Sequence, residues 1–221
     1  MTNKKYFFIG IGGIGMSSIA QYLHERENTI LGYDASENKS IKILLKKGID
    51  VINKLSLENI PDYMKKDDVI VVYTPAIPDD NIFLKYFRKN GNNQIYKRSE
   101  MLGEISRQSK CIAVAGTHGK TTTSAIISHL FHSSGIQFKA FIGGIMKCFD
   151  SNFINTGNDY IIVEADEYDR SFLNLNPNYA VITSIESDHL DIYGDLKSLV
   201  ESFQSFTNNV KDVLILSLIH I

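Results

Sequence analysis

The chain is predicted to fold as two successive α/β domains, on three observations. A short apolar run, Tyr6–Ile11, breaks into Gly10-Ile-Gly-Gly-Ile-Gly15 and then into a helical pattern. A second apolar run, Cys111–Ala115, breaks into Gly116-Thr-His-Gly-Lys-Thr121 and again into a helical pattern. Around both, apolar runs of strand length alternate with helical segments, the order that builds parallel sheets. The first arrangement satisfies G-x-G-x-x-G and predicts a Rossmann-like domain over residues 1–107. The second, strand, glycine turn, Lys-Thr and helix, predicts a P-loop ATPase-type α/β domain over residues 108–221.

Composition bounds the function. At 221 residues there is room for one large or two small domains. The 43% hydrophobic and 22% charged content is that of an ordinary globular protein. A formal net charge of −2 leaves no electrostatic footprint for nucleic acid or an anionic membrane, so neither is expected as a partner. Cys111 and Cys148 stand far apart without metal-type spacing, which fits a reducing compartment. The apolar run at the N-terminus is too short for a signal peptide, and no run of about 18 apolar residues follows, so a cytoplasmic protein is expected. The oligomeric state is not legible in the sequence.

In the first domain the turn Gly10–Gly15 lets backbone approach a diphosphate, and the helix Met16–His24 presents its N-terminus to it. The strand Thr29–Tyr33 ends in Asp34, 19 residues after Gly15. A nicotinamide dinucleotide and a UDP-sugar offer the same pyrophosphate to this backbone, so both stay open; with the dinucleotide, Asp34 would meet the ribose. A helix over Lys39–Lys47 closes at Gly48 and leads to a strand, Ile49–Ile52. The strand Asp68–Tyr73 ends in the turn-rich Thr74–Asn81, at the sheet edge where ligands gather in such folds. A helix over Asp79–Lys89, a brief strand Ile95-Tyr96 and a helix Arg98–Ile105 complete the domain. The charges of that last helix read as a solvated face, and Arg107–Lys110 as a short connection.

In the second domain the loop's glycines let N–H groups close on an anion, and the helix behind it adds its own unsatisfied N–H groups. Lys120 would reach the β- and γ-phosphates of ATP, and the Thr121 hydroxyl would take a place on Mg²⁺. The common pattern has its first glycine where this chain has Val114, so the loop is short. A strand over Gln137–Ile142 leads to Gly143-Gly144, read as a tight turn, and Ser151–Asn158 reads as a polar loop. The strand beginning at Tyr160 runs into four acids, Glu164, Asp166, Glu167 and Asp169. Strand periodicity puts Glu164 and Asp166 on one face and Glu167 and Asp169 on the other. Such a cluster calls for a neutralising cation, and carboxylates beside a phosphate site suit Mg²⁺. A strand over Tyr179–Ile185, ending in Glu186-Ser-Asp-His-Leu-Asp191, a helix Leu196–Phe206 and a strand Val210–Leu216 follow.

Two strings carry a resemblance. Ala115-Gly-Thr-His-Gly-Lys-Thr-Thr-Thr123 and Gly10-Ile-Gly-Gly-Ile-Gly-Met-Ser-Ser-Ile-Ala20 closely resemble the ATP loop and the UDP-binding stretch of the Mur ligases. The resemblance implies ATP-dependent addition of L-alanine to UDP-N-acetylmuramate through an acyl phosphate, in peptidoglycan precursor synthesis. It implies UDP-sugar binding by Gly10, Gly12, Gly13, Gly15, Met16 and Ser17, with Asp34 near the uridine and Asn81 on the substrate side. It implies ATP binding by Gly116, Thr117, His118, Gly119, Lys120, Thr121 and Thr122. Mg²⁺ would be held by Thr121, Glu164 and His189, and the catalytic set would be Lys120, Glu164 and His189. The run ending Asp188-His189-Leu190-Asp191 departs from the family pattern, which has Met where this chain has Leu190.

Family members run on into a third domain that binds the amino acid. The chain is therefore expected to be truncated and inactive alone, with closing residues Ser217–Ile221 unlike the family's continuation. Three alternatives stand beside this reading: a sister ligase attaching a recycled tripeptide, a NAD-dependent oxidoreductase using Asp34, and a non-catalytic nucleotide-binding module.

Overall fold

The computed structural model describes residues 3–66, 68–89, 94–186 and 193–217. The chain divides into two compact units, Met1–Met101 and Leu102–Ile221. The division falls inside a helix, Arg98–Ser106.

The middle strand of the first unit, β1 (Lys5–Ile9), reads Tyr-Phe-Phe-Ile after its lysine, and all four are buried. Lack of apolar–polar alternation is what a parallel strand covered on both faces requires. After it come α1 (Ile14–His24), β2 (Thr29–Tyr33), α2 (Lys39–Lys46), β3 (Asp50–Ile52), β4 (Val69–Tyr73), α3 (Ile82–Lys89), β5 (Ile95–Lys97) and α4 (Arg98–Ser106). The sheet is parallel, in the order β3-β2-β1-β4-β5. It grows to one side of β1 and then to the other, so the end of β1 is a switch point. Ile9 lies level with Tyr33 and with Tyr73, which brings Gly10, Asp34 and Thr74 to one edge. On one face α3 sets Phe83 and Phe87 against Phe7, with ring centroids 5.5 and 5.0 Å apart.

The helix expected from Asp79 begins only at Ile82. Asn81 explains the start: its side-chain oxygen accepts from the N–H groups of Phe83 (3.0 Å) and Leu84 (3.3 Å), an N-cap.

The second unit contains β6 (Lys110–Ala115), α5 (Lys120–Ser133), β7 (Phe138–Met146), β8 (Ser151–Asn155), β9 (Tyr160–Ala165), a 3-10 turn at Tyr168–Asn174, β10 (Tyr179–Ile182), α6 (Leu196–Asn208) and β11 (Val213–Leu216). Its sheet runs β11-β10-β6-β9-β7-β8, parallel except for the β7/β8 pair. Ala115, at the end of β6, is level with Ala165 of β9 and with Ile182 of β10. The segments leaving all three strands therefore meet at one edge. Behind it, α5 packs Phe131 edge-on against Phe138 and Tyr160. Phe172 stacks with Phe206, ring centroids 5.0 Å apart, and meets Phe203 edge-on.

Two expectations fail here. Gly143-Gly144 is no turn: both residues lie inside β7, at the place where its register with β8 shifts. Ser151–Asn158 is no featureless loop, because Ser151–Asn155 form the edge strand β8, buried except for its last residue. The polar letters Ser, Asn and Asn masked a strand whose stability comes from cross-strand pairing rather than from local propensity.

Cys111 sits buried in β6, and burial pushes its thiol up to about 12, whereas Cys148 is exposed. The thiolate is the reactive species. Native protein is therefore expected to react with a thiol reagent at mildly alkaline pH at Cys148 alone, with Cys111 reacting only after denaturation. Quantitative labelling and peptide mapping would check this, and equal labelling of both thiols in native protein would contradict it. Among the described residues, no helix is long and apolar enough to cross a membrane.

Candidate functional site

The loop between β6 and α5 is fixed from the neighbouring strand. Thr117 N–H donates to the Ser184 carbonyl (2.9 Å) and His118 N–H to the Ser184 hydroxyl (3.1 Å). The Thr117 hydroxyl oxygen accepts from Glu186 N–H at 2.9 Å, and the Thr183 hydroxyl donates to the carbonyls of Ala115 and His118. Gly116 is required here, because its φ of +129° and its distance of 2.9 Å from an added Cβ to both Ser184 N and Ser184 O leave no space for a side chain. Thr183 and Ser184 were not singled out by the sequence reading. The strand expected over Tyr179–Ile185 ends at Ile182, so these two residues lie in the segment that leaves it.

α5 starts at Lys120 with Gly119 as its cap and no side-chain cap bond. The N–H groups of Lys120, Thr121 and Thr122 therefore have no partner within the helix, and they stand at its positive end. His118, Gly119, Thr121 and Thr122 are exposed, whereas Thr117 is buried and bonded to Glu186. A cavity of about 470 Å³ opens beside Thr121 and Thr122 and reaches Ile126, His129, Ile142 and Met146.

Glu164, at the end of β9, comes to this loop. One carboxylate oxygen accepts from the Thr121 hydroxyl (3.1 Å) and the other from the Ser124 hydroxyl (3.1 Å) and Gly143 N–H (2.5 Å). That close approach explains the glycine in β7: a Cβ on Gly143 would stand 3.0 Å from the Glu164 carboxyl carbon.

The remaining acids correct the periodicity argument. β9 ends at Ala165, so strand alternation does not govern Glu167, which turns to the same loop as Glu164 and pairs with Lys120 at 2.7 Å. Asp166 accepts from Tyr168 N–H in its own turn, and Asp169 is exposed. The cluster is thus partly neutralised from within, by the loop's own lysine.

Thr121 and Glu164 offer adjacent hard oxygen donors, the kind Mg²⁺ prefers. Among the described residues no three His, Cys, Asp or Glu gather as a metal site, so a Mg²⁺ here would complete its shell with phosphate oxygens and water. His189 lies outside the described residues.

In the first unit, Gly10 N–H and Ile11 N–H both donate to the Tyr33 carbonyl, at 2.8 and 3.1 Å. Asp34 is committed to the loop: it accepts from Gly12 N–H (2.7 Å), and from Ser36 N–H (2.9 Å) and the Ser36 hydroxyl (2.6 Å). Gly13 caps α1 without a side-chain bond, and Gly13 and Gly15 stay accessible at the helix start. Met16 and Ser17 do not belong to that surface. Both are buried, and the Ser17 hydroxyl donates to the Ile14 carbonyl, because the helical turn carries them inward. Asn81 likewise uses its side-chain oxygen as the α3 cap. Arg98, expected on a solvated face, instead has its guanidinium against Gly15, where an added Cβ would come 2.7 Å from Nη1.

Comparison with known proteins follows the same division. Residues 5–110 match the Mur ligase family, catalytic domain, and residues 114–219 match the Mur ligase middle domain. A UDP-N-acetylmuramate–L-alanine ligase of Christiangramia forsetii is 44% identical over 211 residues, covering 95% of this chain and 46% of that one. The crystal structure of a UDP-N-acetylmuramate-alanine ligase, MurC, from Thermotoga maritima matches with a TM-score of 0.87 and 30% identity, over 98% of this chain and 49% of its own. The UDP-N-acetylmuramate:L-alanyl-gamma-D-glutamyl-meso-diaminopimelate ligase of Neisseria meningitides shares the fold, with a TM-score of 0.88 at 24% identity, over 99% of this chain and 72% of its own. The chain spans about half the length of the curated relatives it matches. Matched along nearly its whole length by two successive domains of one family, the chain belongs to the Mur ligases.

Proposed function

We propose that this chain carries the UDP-sugar-binding and ATP-binding domains, residues 1–107 and 108–221, of a cytoplasmic ligase that joins L-alanine to UDP-N-acetylmuramate in peptidoglycan precursor synthesis. The observation that carries the reading is the meeting of Lys120 with Glu167 and of Thr121 with Glu164 where β6 and β9 end. The kinship to L-alanine ligases at 44% identity supplies the substrates.

ATP, when bound, supplies the phosphoryl group that activates the muramate carboxylate as an acyl phosphate, which the amine of L-alanine then displaces. The protein's part in such a transfer is positioning and charge stabilisation. The N–H groups from Gly119 to Thr122 hold phosphate oxygens, and the Lys120 ammonium offsets their charge. Thr121 and Glu164 would hold Mg²⁺, with His189 assigned by resemblance alone. The loop Gly10–Gly15 and the start of α1 hold the diphosphate of the UDP-sugar. The oxidoreductase alternative loses its main support, since the Asp34 carboxylate that would meet a ribose accepts three hydrogen bonds from Gly12 and Ser36.

The test measures phosphate release from Mg-ATP with UDP-N-acetylmuramate, offering L-alanine or L-Ala-γ-D-Glu-meso-diaminopimelate. It is run on this chain and on a form extended to the length of its relatives. The expected result is L-alanine-dependent release by the extended form, abolished by Lys120→Ala. Release with the tripeptide alone would move the assignment to the recycling ligase, and no release from a folded extended form would overturn the ligase reading.

A further inference from the structure

A lysine ammonium has three N–H donors and no acceptor. Those of Lys120 meet three close acceptors: the Gly116 carbonyl at 2.6 Å and the two Glu167 carboxylate oxygens at 2.7 and 3.0 Å. A fourth, the Thr117 carbonyl, stands further off at 3.4 Å. Every donor is therefore in use within the protein, and a phosphate can take one only by exchange.

The two partners differ in how firmly they are held. Glu167 is 1% exposed, and its carbonyl accepts from the Tyr193 hydroxyl (2.5 Å) and from Arg170 N–H (2.9 Å). Tyr193 is itself buried, under the Arg170 guanidinium 5.3 Å from its ring centroid. Lys120 sits at the first position of α5, at the end of a flexible four-carbon stem, with a side chain 17% exposed. An exchange would move the ammonium and leave the carboxylate in place.

We propose that Glu167 is a positioning residue that latches Lys120 over Gly116 and competes with the terminal phosphates of the nucleotide for its ammonium. The proposal rests on the ATP-site reading above. Glu167 sets where the charge of Lys120 waits, and the latch lowers nucleotide affinity by the strength of the bond that must be given up.

The test compares the unaltered chain with E167Q, which keeps the shape and one acceptor but removes the charge. E201Q, which makes the same charge change at an exposed residue of α6, is the control. Binding of Mg-ATP and of inorganic tripolyphosphate is measured by competition against a fluorescent ATP analogue. Hydrogen bonds to charged groups exceed neutral ones by about 1 kcal/mol, so E167Q is expected to bind both about fivefold more tightly, with E201Q unchanged. Equal or weaker binding by folded E167Q would overturn the latch, since a carboxylate with only a structural role would lower stability without raising affinity. A second measurement uses the unaltered protein. By ¹⁵N NMR, the Nζ protons of Lys120 should exchange with solvent more slowly than those of Lys197, whose side chain is 85% exposed. Exchange as fast as at Lys197 would also overturn the proposal. Absence of any polyphosphate binding by either protein would overturn the ATP-site reading and the latch with it.

Discussion

Lys120→Ala is expected to destabilise the second unit by about 3–5 kcal/mol, besides abolishing phosphate binding, because it removes the ammonium that pairs with a buried carboxylate. The Glu167 carboxylate pairs with Lys120 at 2.7 Å and is almost wholly removed from solvent. Breaking such a pair from one side costs far more than removing both charges, since the remaining ion keeps its desolvation penalty. The double variant K120A/E167Q should therefore regain most of the lost stability while still failing to bind ATP. Urea denaturation of the parent, the two single variants and the double variant would check this. Parent-like stability in K120A would show that Glu167 finds other compensation, and an additive loss in the double variant would contradict the pairing.

Gly116→Ala is expected to cost about 3 kcal/mol or more and to abolish nucleotide binding. The residue occupies a backbone conformation at φ +129° that a side chain makes costly by roughly 1–3 kcal/mol. The new methyl would also press on the backbone of Ser184, which holds Thr117 and His118 in place. Relief requires moving the loop away from the end of β10, and with it the N–H groups that would meet phosphate. The same substitution at Gly135, where an added Cβ meets nothing within 4 Å, controls for positive φ alone, since its φ is +70°. Melting curves with and without Mg-ATP separate the two: Gly135→Ala should keep its ATP-induced rise and Gly116→Ala should lose it. Equal stability of the two variants would sink the steric argument.

Strands such as β1, β4 and β6 were legible because each is a short apolar run closed by glycine or turn residues, and local pattern is enough to define them. The phosphate loop was legible for the same reason, since its residues are consecutive. β8 was not, because its polar letters gain burial from pairing with β7, a relation no window of sequence contains. Gly143 looked like a turn until Glu164 arrived beside it from β9. Glu167 was set on the wrong face because strand alternation was carried two residues past the end of the strand. Met16 and Ser17 came in on family resemblance, and only the helix geometry shows that they face the packing. Arg98 was misread because its neighbour across the fold, Gly15, is distant in the chain.

The attachment of the phosphate loop to β10 also orders events during folding. The hydrogen bonds that hold Thr117, His118 and Ala115 to the segment after β10 join residues 65 to 69 positions apart. Closing so long a stretch costs chain entropy before any bond is gained, so contacts of this kind form late. The helix α5 can coil locally long before then. Forms in which Lys120 already stands on its helix while the loop in front of it has no shape are therefore expected before the native one. Nucleotide affinity is then a report on the last long-range pairing of this sheet, and a local opening of β10 would erase it without melting the helix.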